Sequence, residues 1–332
     1  MLYGARMKNH RPTTLRTFFA SIVVLATMVV APLLVTRRAD ARPTEEPLRV
    51  AVIGASASAG FGCVHHEKRE DGEYAGSFRL IDMVKCACPE MKLVVSDLSS
   101  GFFFLSPIEN GTAAATRAQA FKPDCVIALD FLFWYAYGSD APGGGAITAE
   151  DQRLAKFELG LKELDGFSGA IIVGDLPDMS AAIGKMLNAN QVPAAATLKS
   201  VNARLNEWAK THPRVTVLSL SRMQRELMEE NALHVRDTRL VGTKENPLLQ
   251  RDALHPTALG LAGLACVVTD ALKVAVKRES DGCTPEPDAT MSRACAGMKR
   301  SAQPRPSEAP PAPPTSAPTP PVPAPPSAPV GR

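Results

Sequence analysis

The chain has little net charge once its first residues are set aside. Six of its 37 Lys and Arg fall in residues 1–41 against one of its 34 acids, which leaves the remaining body at a net of −2. It therefore lacks the basic field that nucleic acid would need, and no nucleic-acid partner is expected. No Cys follows the N-terminal apolar run closely, which argues against a lipoprotein anchor. Cys63-Val-His-His66 has no second ligand pair at matching spacing, so a metal site is not expected. The small-residue stretch Gly54–Gly62 lacks the Lys-Ser/Thr that would make it a phosphate loop. It also lacks an acidic residue about 20 positions on, at the end of a second strand, as a dinucleotide turn would want; Asp97 is about twice as far. Ser58 stands where the elbow Gly-x-Ser-x-Gly needs its second glycine. Neither a metal nor an organic cofactor is expected.

What is present begins with an export pattern. Arg6, Lys8, Arg11 and Arg16 precede an apolar run from Phe18 to Val35, and Ala39-Asp-Ala41 offers a small-x-small cleavage site. Residues 1–41 are read as a signal peptide. The alternative is an uncleaved anchor through residues 18–35 in the inner membrane, to which the length of the run and Arg37-Arg38 point. Either way the body is expected outside the cytoplasm, periplasmic or secreted. The far end, 301–332, is dominated by Ala, Pro and Ser and cannot bury a core. It is expected to be a disordered tail, through which, or through the N-terminus, the protein would associate with membrane or cell envelope. Between them lie a main domain, 42–282, and an extension, 283–300. The seven cysteines are an odd number. Cys125 and Cys266 fall in apolar runs and are expected as buried thiols, Cys283 and Cys295 flank a loop and could pair, and Cys63, Cys86 and Cys88 could supply another bridge.

Five nearly continuous apolar runs read as strands covered on both faces: Leu48–Gly54, Lys92–Asp97, Asp124–Asp130, Gly169–Gly174 and Val215–Leu220. Helical spacing appears in Ala75–Cys86, Ala149–Leu164, Thr197–Lys210 and Pro256–Lys277. The alternation predicts a doubly wound α/β sandwich, whose ligands bind beyond the carboxyl ends of the strands. Ser56, just past the first run, sits at that edge. The apolar loop Phe102–Pro107 either packs over the sheet or walls an acyl or aryl pocket, Gly138–Gly145 reads as a mobile loop, and Gly174-Asp-Leu-Pro-Asp178 is expected at the rim of the site.

A serine in a tight turn after a parallel strand exposes its hydroxyl and aims its backbone N–H into the same space. A helix starting just beyond would add a positive dipole end. Asp252 and His255, three positions apart before an apolar helix, suit a carboxylate that fixes the tautomer of an imidazole base. The alternatives are a plain small-residue turn, a helix cap and a surface histidine.

Gly54-Ala-Ser-Ala-Ser-Ala-Gly-Phe-Gly62 resembles the first block of the SGNH/GDSL hydrolases, and Asp252-Ala-Leu-His-Pro256 resembles their last, D-x-x-H. Ser99-Ser-Gly101 is similar to the second block. The resemblance spans roughly Leu48 to Val276. It implies a three-layer α/β/α sandwich with a five-stranded parallel flavodoxin-like sheet. It also implies Ser56 as nucleophile, His255 as general base, Asp252 as its partner, and the N–H groups of Ser56 and Gly101 as oxyanion hole. The family's Asp before the serine is Ala55 here. Its third block, Gly-x-Asn-Asp, is replaced by Leu129-Asp-Phe-Leu-Phe-Trp-Tyr135, with Phe133 about where an Asn would donate to the oxyanion. Trp134 or Tyr135 could substitute as donors, and Asp130 is a further polar candidate. The expected function is an exported serine esterase acting on a small-molecule, lipid or acetylated-glycan ester. The alternative is an inactive SGNH-fold envelope protein that binds carbohydrate or a protein partner.

Overall fold

The computed structural model describes residues 46–278 and 283–300. The segment read as signal or anchor and the Pro-rich tail both lie outside the described residues. In chain order the elements are β1 (Leu48–Val52), a hairpin of β2 (Val64–Arg69) and β3 (Gly72–Ser77), α1 (Leu80–Ala87), β4 (Leu93–Asp97), α2 (Pro107–Phe121), β5 (Cys125–Ala128) and the short α3 (Phe133–Ala136). There follow α4 (Glu150–Asp165), β6 (Ala170–Gly174), α5 (Ala195–Thr211), β7 (Val215–Leu218), α6 (Leu220–Glu230), a second hairpin of β8 (Ala232–Val235) and β9 (Thr238–Val241), α7 (Ala258–Ala275), α8 (Pro287–Ala296) and β10 (Lys299–Arg300).

The central sheet runs β4-β1-β5-β6-β7 with every pair parallel. This is the three-layer α/β/α sandwich with a flavodoxin-like sheet that the resemblance implies. The period of two along each strand divides the core. Ala51 and Ile53, with Val126, Ala128, Ile171 and Val173, face one layer, where α2, α4 and α5 supply Ala115, Phe157 and Leu205. Val50 and Val52, with Cys125, Ile127 and Ile172, face the other, where α1, α7 and α8 supply Met83, Leu261 and Ala294. Burial on both faces is why these strands read as unbroken apolar runs. The helix α7 is long and apolar enough to cross a membrane, yet 61% of that stretch is buried inside the fold, so it serves as a core helix.

Three expectations need correcting. The helix placed over Ala75–Cys86 starts only at Leu80, because Val64–Ser77 is a β-hairpin with Ala75 on its second strand. Arg79 is held extended, and its N–H donates to the Asp82 carboxylate at 3.1 Å, which fixes the later start. The last long helix begins after Pro256, with Thr257 as N-cap accepting from Gly260 N–H at 3.2 Å. Cys283 pairs with Cys88, not Cys295, because Cys283, in the loop before α8, lies beside Cys88 at the C-cap of α1, while Cys295 lies at the far end of α8. The Cys88–Cys283 bridge closes a span of 195 residues and by restricting the unfolded chain stabilises the fold by about 2–4 kcal/mol. Cys63, Cys86 and Cys295 are free thiols, as are the buried Cys125 and Cys266.

Candidate active site

The chain order across the sheet reverses at β1 and β5, and the crevice beyond their carboxyl ends is where such folds bind ligands. β1 delivers the turn that carries Ser56, and β5 delivers Asp130. The backbone N–H groups of Ala55, Ala57 and Ser58 donate to the Asp130 carboxylate at 3.0, 2.9 and 3.2 Å, and the Ser58 hydroxyl donates to it at 2.5 Å. One buried carboxylate thus gathers the donors on either side of Ser56. Close approach requires Gly54, since a Cβ there would lie 2.2 Å from Asp130 Oδ1. No helix follows the serine directly. The loop runs on through Gly60, whose φ of +73° and contact with the Phe78 carbonyl exclude a side chain, into β2. The dipole end considered in the sequence reading is absent there.

His255 arrives from the other end of the chain. Its Nε2 lies 2.7 Å from Ser56 Oγ, and its Nδ1 lies 2.7 Å from Asp252 Oδ2. With Nδ1–H donating to Asp252, Nε2 is the acceptor for the serine hydroxyl. The imidazole is 2% exposed, and the Phe61 ring packs 4.7 Å from it. Asp252 Oδ1 also accepts the N–H groups of Leu254 and His255 at 2.9 and 3.0 Å. This tight turn holds Ala253 at φ +60°, a left-handed conformation costing roughly 1–2 kcal/mol for a residue with a Cβ. Gln224 steadies it, its Nε2 donating to the Ala253 carbonyl at 3.1 Å.

Burial works to raise the Asp252 carboxyl, but the hydrogen bonds from His255 N–H, the imidazole and Leu254 N–H outweigh it and hold the group below its ordinary 3.8. A carboxyl lowered in the folded state contributes stability above its unfolded value and loses it as pH falls through the folded one. Asp252→Asn should therefore melt below wild type at pH 7, with the gap shrinking as pH is taken below 3.8; thermal melts at both pH values test this.

The second-block residues are tied to the same edge. Ser100 N–H donates to the Gly54 carbonyl at 3.0 Å, and Ser99 is fixed by Asp97 and Arg79. A Cβ on Gly101 would meet only Phe61, at 4.0 Å. Among the described residues, the N–H groups of Ser56 and Gly101 donate to no other protein group. Phe133, the residue the sequence sets against the third-block Asn, lines the cleft together with Ser56 and stacks on Tyr137 at 4.1 Å, so a phenyl ring rather than an amide enters the cleft from this position. Neither neighbour replaces it. Tyr135 is fully buried with its hydroxyl against Gly111, and Trp134 packs on Phe104 and Phe133; neither lines the cleft.

The loop 102–107 contributes no wall. Phe103 packs on Phe131 and Tyr135 in the core, while Phe102 and Leu105 are 72% and 67% exposed. The walls come from Gly174–Pro177, as expected at the rim, and from α6, β8 and α7, which the sequence reading did not connect to the site. The Cys63 thiol is buried and donates to the Pro256 carbonyl at 3.3 Å, and burial, aided by the charge of Asp252, pushes its pKa up to about 12.

No family model matches the chain, and no curated protein matches it. Solved structures do. A gut microbial diltiazem-metabolizing enzyme is 15% identical over 69% of this chain and 47% of its own, with a TM-score of 0.43, so the chain spans about half that protein's length. An alpha/beta hydrolase enzyme from the metagenome of Lake Arreo, Spain, is 15% identical over 70% of this chain and 95% of its own, with a TM-score of 0.40. The acetylxylan esterase Axe2 of Geobacillus stearothermophilus is 14% identical over 69% of this chain and 94% of its own, with a TM-score of 0.40. At such values the likeness is one of layout, and the chemistry has to be read from this chain's own side chains.

Proposed function

We propose that the protein is a divergent SGNH-type serine hydrolase that cleaves an ester through an acyl-enzyme. The observation that carries this is the unbroken contact from Ser56 Oγ through His255 to Asp252, spanning 199 positions of sequence. In the reaction, Ser56 Oγ attacks the ester carbonyl as His255 Nε2 takes its proton. Asp252 holds the imidazole and stabilises the imidazolium. The oxyanion is received by the N–H groups of Ser56 and Gly101. His255 then gives its proton to the departing alkoxide, leaving Ser56 acylated, and water activated by the same imidazole releases the acid. One missing oxyanion donor typically costs about 10²–10³ in rate, so turnover is expected to be slow. No metal or organic cofactor takes part in this scheme. Export through residues 1–41, and envelope association through them or through the tail, belong to the same proposal and rest on the sequence pattern alone.

Phe133 favours one rival, a binding module that has kept the fold. Turnover of short p-nitrophenyl esters by wild type and His255→Ala separates the two. The hydrolase reading expects measurable wild-type hydrolysis that the variant loses. Negligible and equal rates in both would support the binding module.

A further inference from the structure

Resting on the serine-hydrolase reading, we infer that the acyl group this site takes is an unbranched aliphatic chain well beyond acetyl, and that α6 and β8 set its length. A cleft lined mainly by apolar side chains opens at Ser56 and His255. It runs beneath α6, past Met223 and Leu227, and is lined deep in the fold by Leu233 of β8 and Leu264 of α7. Leu233 is 1% exposed, so this end belongs to the apolar core.

Most polar groups along it are already engaged, the exception being Gln224 Oε1, which accepts no hydrogen bond among the described residues. Asp130 is saturated by the serine turn. Asp175 accepts from the Ser221 N–H and hydroxyl and from the Ser219 hydroxyl. Gln224 Nε2 is committed to the Ala253 carbonyl. A sugar or other hydroxylated group entering here would give up water and find few partners. A methylene entering here gains about fourfold in binding. The apolar lining that runs from Ser56 to Leu233 and Leu264 therefore favours an aliphatic acyl chain well beyond acetyl.

The test is kcat/KM of the full chain on p-nitrophenyl acetate, butyrate, hexanoate, octanoate and decanoate below their aggregation limits. The expected result is a rise with length and a preference for octanoate over acetate of at least about tenfold, given the gain per methylene. Leu227→Trp, on the half-buried face of α6, and Leu233→Trp, at the deep end, should each cut the octanoate-to-acetate ratio about tenfold, the reverse of the same gain. Leu227→Trp keeps the test alive if Leu233→Trp does not fold. Acetate hydrolysed as well as octanoate, or a ratio that neither variant moves, overturns the inference. Preferred acetate hydrolysis that depends on Ser56 would leave the serine-hydrolase reading standing. Absence of hydrolysis at every length would remove that reading and this inference with it.

Discussion

Ser56→Ala should abolish ester hydrolysis, lowering kcat by at least about 10³-fold, while the fold melts within a few degrees of wild type. The hydroxyl is the only atom removed, and its partner His255 Nε2 lies 2.7 Å away. The residue is partly exposed, so little packing is lost. On the proposed scheme Ser56 and His255 act as a unit, so Ser56→Ala combined with His255→Ala should be little worse than either alone. On the proposed scheme, residual activity would come from the N–H groups of Ser56 and Gly101, which donate to no described protein group. With Phe133 in place of a third donor, that residue of rate should be small. A kcat for Ser56→Ala within tenfold of wild type would mean that hydrolysis arises elsewhere.

Asp130→Ala should unfold the nucleophile turn and cost about 3–5 kcal/mol, the range for removing one side of a buried polar network. Three backbone N–H groups and the Ser58 hydroxyl converge on this carboxylate. Truncation leaves all of them without an acceptor in a buried place. For a domain of this size the melting temperature should fall by roughly 10 °C. Activity in the surviving folded fraction should fall as well, because Ser56 lies between the donors that are released. Asp130→Asn, which keeps the shape and one acceptor oxygen, should lie between the two. Melts and hydrolysis measured on the same samples check this, and an Asp130→Ala protein with wild-type melting and wild-type kcat would contradict it. The role assigned here is positioning: Asp130 makes no contact with a reacting atom and acts through the turn.

The inner strands β1, β5 and β6 were legible in the chain because each is buried on both faces, which leaves a continuous apolar run, while the edge strands β4 and β7 are only half-buried and read as strands through their Val and Leu residues. The β2–β3 hairpin was not. Val64–Arg69 reads Val-His-His-Glu-Lys-Arg, with only alternate side chains half-buried, so it gives no core signal. The pair at the chemistry was readable as motifs, Ser56 in a small-residue turn and Asp252-x-x-His255. The work of Asp130 was not, since its partners lie 72 to 75 positions away and no local spacing announces them. A polar residue ending an otherwise apolar strand, opposite a turn rich in unpartnered N–H groups, is the signal that could have found it. The cleft walls from α6 and β8 were hidden for a related reason. Met223, Leu227 and Leu233 look like ordinary core positions until the fold turns them toward Ser56. The bridge from Cys88 to Cys283 likewise depends on which helix ends meet in space.

The most direct test is to treat the folded wild-type protein with a fluorophosphonate and map the adduct by mass spectrometry. The site predicts one adduct per chain, on Ser56, that is lost in Ser56→Ala and slowed in His255→Ala. A folded protein that takes no label, or one whose label sits on another residue and survives Ser56→Ala, would contradict it.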